Sequence, residues 1–95
     1  MVEKLTEDAI SSGLADRPDW SRSGESIQRT FAFGDFLGSM DFVARVAARA
    51  EEAQHHPDIL IRYSKVTMTL STHDAGGLSA KDMAFAADCD HLYTD

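Results

Sequence analysis

Three of the four histidines in this 95-residue chain, His55, His56 and His73, stand where the sequence gives them acidic or histidine neighbours. Imidazole has an ordinary pKa of about 6.5, so it can give and take protons near neutral pH. Glu51 precedes His55 by four residues, and on one helical face its carboxylate would meet the ring and fix the tautomer. The negative end of a helix dipole at that point favours the protonated ring. His56 and His73 flank a stretch that reads as a hairpin. If it reverses at Ser64-Lys65, Ile59 falls opposite Leu70, Pro57 opposite Thr72, and His56 faces His73. The chemistry on offer is general acid-base catalysis.

Other readings of these residues are weaker. A Glu-His pair at a helix end often only stabilises the helix, His56 alone would be an ordinary loop residue, and His73 alone would end a strand. Three imidazoles could hold a metal, but adjacent histidine side chains diverge and no cysteine pattern assists them, so no metal is expected. Cys89 and His91 are two apart on the last helix, point to different sides of it, and read as incidental. Ser71 and Thr72 beside His73 lack a nucleophile-elbow or oxyanion sequence. Asp82, three residues after Ser79, fits the reciprocal member of a capping box.

The elements that must position these residues are marked by caps and periodicity. Thr6 before Glu7 and Asp8 opens a first helix, which Gly13 would close. Trp20 to Ser23, a Gly24-Glu25 turn and Ile27 to Phe33 form a hairpin with Ile27, Phe31 and Phe33 on one face and Arg29 as the exception. Asp35 caps a long helix whose apolar stripe is Phe36, Met40, Val43, Ala47 and Ala50. Pro57 forces that helix to end near Gln54 or His55. Alternation over Ile59 to Tyr63 and Val66 to Ser71 gives a second hairpin, Asp74 to Gly77 a turn, and Ser79 a cap for a last helix whose apolar members include Met83, Ala84, Ala87 and Leu92. The order αββαββα implies an α+β fold, a four-stranded antiparallel sheet with three helices on one face.

Length and charge bound the function. Residues 1–95 suffice for a single domain with a modest core, for which self-association would be a natural supplement. A net charge of -7 would repel a phosphate backbone, which argues against direct nucleic-acid binding. A polar start at Met1-Val2-Glu3-Lys4, one cysteine and no apolar run long enough for a membrane span lead to the expectation of a soluble, cytoplasmic protein.

The motif as a whole is more specific than its parts. Glu51, His55-His56-Pro57, Tyr63, His73 and Asp82 at their spacings resemble the signature of the pterin-4a-carbinolamine dehydratase family. Trp20, Phe31-Ala32-Phe33, Val43-Ala44-Arg45-Val46-Ala47 and Ser71 to Leu78 extend the resemblance over roughly residues 5 to 92.

The resemblance implies a dehydratase that takes 4a-hydroxytetrahydropterin, the product of aromatic amino acid hydroxylases, to quinonoid dihydropterin and water. It implies His55 and His73 as proton donors toward the leaving hydroxyl, and His56 as the residue that binds and orients the pterin. Glu51 would orient a histidine, and Asp82 would support His73 or the loop before it. Pro57, Thr72, Asp74 and Ala75 would line the pocket together with the histidines. No metal or organic cofactor is implied, since the pterin is the substrate. A homodimer or homotetramer is implied, as is the alternative of a non-catalytic dimerisation or partner-binding module of the same fold.

Overall fold

A computed structural model describes residues 2–94; Met1, at the head of the polar N-terminal segment, and Asp95 lie outside the described residues. The elements are α1 (Glu7–Ala15), β1 (Ser21–Ser23), β2 (Ser26–Ala32), α2 (Phe36–Ala53), β3 (Asp58–Arg62), β4 (Lys65–Leu70) and α3 (Ala80–Thr94), with a single 3-10 turn at His73–Ala75. The order is αββαββα, as the sequence predicts. The four strands form one antiparallel sheet in the order β1-β2-β4-β3, and the helices pack on one face of it.

Caps set the helix starts. Thr6 Oγ1 accepts from the Ala9 amide at 3.1 Å, and Asp35 Oδ1 accepts from the Gly38 amide at 2.7 Å. The expected stop at Gly13 is not used, because α1 runs through it to Ala15. Gly13 instead permits close packing: a Cβ there would lie 2.8 Å from Sδ of Met83 on α3. Arg17 locks the same contact by donating to the carbonyls of Gly13 and Met83.

Ile27, Phe31, Val66, Met68 and Leu70 make the sheet's inner face and are fully buried against Phe42 and Val46 of α2 and Phe85, Ala86 and Cys89 of α3. The expected stripe on α2 is displaced around the helix. Ser39, Phe42, Val46 and Ala50 face inward, while Phe36, Met40 and Ala47 are exposed and Val43 is half-buried. On α3, Met83 is buried while Ala84 and Ala87 are exposed, and Cys89, read from the sequence as incidental, is core. Arg29, the odd charge on the inner face, is matched by Asp90 at 2.7 Å and lies over the rings of Phe31 and Tyr93. Trp20 Nε1 donates to the same carboxylate at 2.8 Å.

The second hairpin turns one residue earlier than expected, which shifts its cross-strand pairing by two. Ile59 pairs with Met68 and Ile61 with Val66, so the turn is Tyr63-Ser64 and His56 is not brought opposite His73 by register. Tyr63 adopts a left-handed φ of 51° without being glycine or asparagine, which hides the turn in the sequence. Ser39 Oγ donates to the Tyr63 carbonyl and the Phe33 amide donates to the Ser64 carbonyl, both at 2.7 Å, so neighbouring segments hold the turn. An even shift preserves which residues face the core.

Candidate functional site

The end of α2 decides where the paired histidines go. Gln54 takes a left-handed conformation with φ 51°, and the His55 amide donates to the Ala50 carbonyl at 3.1 Å while the Gln54 amide reaches Glu51. This is the Schellman pattern of terminal bonds, and it turns the chain sharply between the helix and Pro57. The two histidines leave that turn in different directions. His55 goes inward, 10% exposed, with Nε2 2.7 Å from Oδ1 of Asp82 and its ring edge-on to Phe85. His56 stays outside, 59% exposed, and its Nε2 lies 2.5 Å from Oε2 of Glu51. The expected Glu51–His55 pair is therefore replaced by Glu51–His56, because the helix ends before His55 can occupy the next helical turn.

Asp82 is fully buried on the first turn of α3, and its two oxygens are engaged on both sides. Oδ2 accepts from the Ser79 amide at 2.9 Å, which completes the capping box, and from Thr72 Oγ1 at 2.8 Å. Because the Thr72 hydroxyl gives its proton to Asp82, the 2.6 Å bond between Thr72 and Ser79 must run from the Ser79 hydroxyl to Thr72 Oγ1. Ser79 Oγ in turn accepts from the Lys81 amide at 3.2 Å. Hydrogen-bond bookkeeping then places a proton on His55 Nε2, facing Asp82, and leaves Nδ1 as the ring nitrogen not committed to the carboxylate. Asp82 thus supports His55 directly and, through Thr72, the loop that precedes His73.

That loop is fixed by its backbone. Thr72 and Gly77 exchange amide and carbonyl bonds at 2.9 and 3.3 Å, and the 3-10 turn His73–Ala75 fills the space between them. A groove of about 270 Å³ is lined by His56, Asp58, Thr69, Ser71 and His73. A second hollow, about 230 Å³, shares His56, Ser71 and His73 and adds Gln54, His55, Thr72, Asp74 and Lys81. All three histidines therefore border one continuous depression despite the register shift. Pro57 and Ala75 flank these walls in sequence.

Sequence reasoning passed over Gln54, Asp58, Thr69 and Lys81 as site residues, and weighed Ser71 only as a nucleophile. Alternation along β4 carried the signal for Thr69 and Ser71, which must face away from buried Met68 and Leu70. Nothing in the spacing marked Lys81. Cys89 offers no nucleophile: burial, and then the nearby Asp90 and Asp88 carboxylates, push its thiol up to about 12. Among the described residues no three His, Cys, Asp or Glu side chains are grouped to hold a metal ion.

Residues 3–92 match the family model described as pterin 4 alpha carbinolamine dehydratase. A protein of Chloroflexus aurantiacus, assigned that name provisionally, is 51% identical over 96% of this chain and 98% of its own. A similarly named protein of Picosynechococcus is 47% identical over 97% of this chain and 100% of its own. Among solved structures, that of a transcriptional coactivator/pterin dehydratase from Brucella melitensis superposes with a TM-score of 0.92 at 31% identity, covering 96% of this chain and 99% of that one. A pterin dehydratase-like protein identified as a RuBisCO assembly factor in the alpha-carboxysome superposes at 0.70 and 31% identity, over 79% of this chain and 89% of that one.

Proposed function

This chain belongs to the pterin 4 alpha carbinolamine dehydratase family, and we propose that it removes water from a 4a-hydroxytetrahydropterin to give quinonoid dihydropterin. The C4a–O bond breaks as a proton reaches the leaving hydroxyl, and the C4a=N5 bond forms as N5 gives up its proton. One proton is donated and one accepted, so imidazoles suffice without a redox partner.

The observation that carries the reading is the meeting of His55, His56 and His73 around one depression, each on a different support. His55 is braced by Asp82, His56 by Glu51, and His73 by the Thr72–Gly77 bridge. In this reading His55 and His73 deliver protons to the hydroxyl, and His56 binds and orients the pterin. Thr72 and Asp74 form part of the wall, with Pro57 and Ala75 beside it. The supply of substrate by an aromatic amino acid hydroxylase, a cytoplasmic location and a single domain over residues 1–95 belong to the same reading. No helix among the described residues is long and apolar enough to cross a membrane.

A homo-oligomer completes it. Phe36, Leu37 and Met40 leave an apolar stripe on α2, Leu37 being 76% exposed, and the edge strand β3 exposes Ile59 on the helix side of the sheet. A second copy of the chain would cover such a surface. The same stripe is what a non-catalytic partner-binding role would use. The two roles separate on activity: His55→Asn and His73→Asn are each expected to slow carbinolamine decay by about 10² to 10⁴-fold with the fold retained by circular dichroism. Unchanged turnover in both variants would overturn the enzymatic reading.

A further inference from the structure

The sheet face turned away from the helices carries a second, chemically distinct groove, of about 500 Å³, lined by Thr30, Leu60, Arg62, Ser64, Lys65 and Thr67. Its charges are arranged unusually. Arg62 and Lys65 are directly paired across β3 and β4, which sets two cations side by side, an arrangement that disfavours the sheet unless something anionic joins them. Neither has an ion-pair partner among the described residues, a lack they share with Lys81 and with Arg17, which the Gly13 and Met83 carbonyls hold, while Lys4, Arg22, Arg29, Arg45 and Arg49 each have one. Beside them the hydroxyls of Thr30 and Thr67 meet at 2.7 Å, and Ala32, the third residue in the Arg62–Lys65 row, leaves the floor open.

This groove shares a face with the histidine groove. The cross-strand rows on that face are Asp58–Thr69–Gln28, then Leu60–Thr67–Thr30, then Arg62–Lys65–Ala32. Asp58 and Thr69 line the histidine groove, and Arg62 and Lys65 lie four residues further along their strands, roughly 13 Å at the usual rise. A substituent leaving a pterin in the direction of Leu60 and Thr67 would bring its end within reach of the two long cationic side chains.

We propose that Arg62 and Lys65 form an anion subsite that selects pterins whose side chain ends in a negative group, a phosphate or a carboxylate. The assignment rests on the dehydratase reading for its substrate but not for its charge chemistry. The histidines would act on the ring while the cationic pair holds the tail, so the subsite governs KM rather than the chemical step.

The test compares carbinolamines bearing neutral, carboxylated and phosphorylated side chains on the wild-type protein and on the R62A/K65A double variant. The wild type is expected to show a KM about tenfold lower for one of the anionic substrates than for the neutral one, a preference that shrinks as salt is raised. In the double variant the ratio should fall toward one. Equal KM values for neutral and anionic substrates in the wild type, or an undiminished ratio in the variant, would overturn the proposal. A separate titration with inorganic phosphate and with acetate, read by amide shifts over residues 62–67, distinguishes the two anions. If no carbinolamine is turned over, the dehydratase reading fails. The titration then decides the subsite alone: shifts lost in the double variant uphold it, and no shifts, or shifts the variant retains, overturn it.

Discussion

His55 Nε2 and Asp82 Oδ1 lie 2.7 Å apart across 27 positions of sequence, and the carboxylate that receives the ring also holds the Ser79 amide at the start of α3. One buried side chain therefore ties the end of α2 to the start of α3. Asp82→Asn would place an amide where one acceptor must serve a donor, whichever way the group is turned. The expected cost is about 2–4 kcal/mol in urea unfolding, since donors buried around the site lose their acceptor. Nitrogen-detected NMR should show the Nε2–H tautomer of His55 in the wild type and loss of that fixed tautomer in the variant.

Thr72 links this pair to the histidine on the other side of the groove. Thr72→Val keeps the shape but removes the hydroxyl that donates to Asp82 and accepts from Ser79. A loss of roughly 1–3 kcal/mol is expected, with most of it recovered in Thr72→Ser. Chemical denaturation of the two variants checks the order, and equal losses would show that the methyl group matters instead.

The Cys89 thiol gives a pH prediction with a definite sign. Its folded pKa is raised from 9.0 to about 12, so between these values the unfolded chain releases a proton that the folded chain keeps. Stability from this group is present below pH 9 and is lost at up to about 1.4 kcal/mol per pH unit as pH climbs toward 12. The slope of unfolding free energy with pH should be shallower in Cys89→Ala. At pH 8 the native thiol should resist iodoacetamide and react only on unfolding.

The apolar stripe on α2 predicts an assembly effect. Leu37→Glu together with Met40→Glu should reduce the assembly size in sedimentation velocity at fixed concentration. Because both side chains are exposed within the chain, the fold itself should change by less than about 0.5 kcal/mol per site. An assembly of unaltered size would remove this stripe as the contact surface.

The order of elements was legible because caps are local. Thr6, Asp35 and Ser79 announce their helices within three residues, and the strands alternate cleanly. The inward face of α2 was not legible, since the helix carries two apolar stripes and periodicity cannot say which one meets the sheet. Phe42 and Val46 won the core, and Phe36 and Met40 were left outside. The site was half legible in the same way. Its histidines and acids were found by type and spacing, but their pairing depended on a left-handed Gln54 that nothing in the sequence requires. The turn at Tyr63 hid the hairpin register for the same reason, yet the two-residue displacement kept every side chain on its expected face.

The three attachments of Asp82 differ in reach, and that gives them an order in time. Its bond to the Ser79 amide spans three residues and can form as α3 nucleates, whereas those to Thr72 and His55 span 10 and 27 and must wait for the chain to collapse. During folding the carboxylate can begin as a local cap on a nascent helix and acquire its partners only when α2 docks. A chain caught partway would carry a well-formed α3 and no assembled histidine cluster, so recovery of helix signal after refolding should run ahead of any recovery that depends on His55.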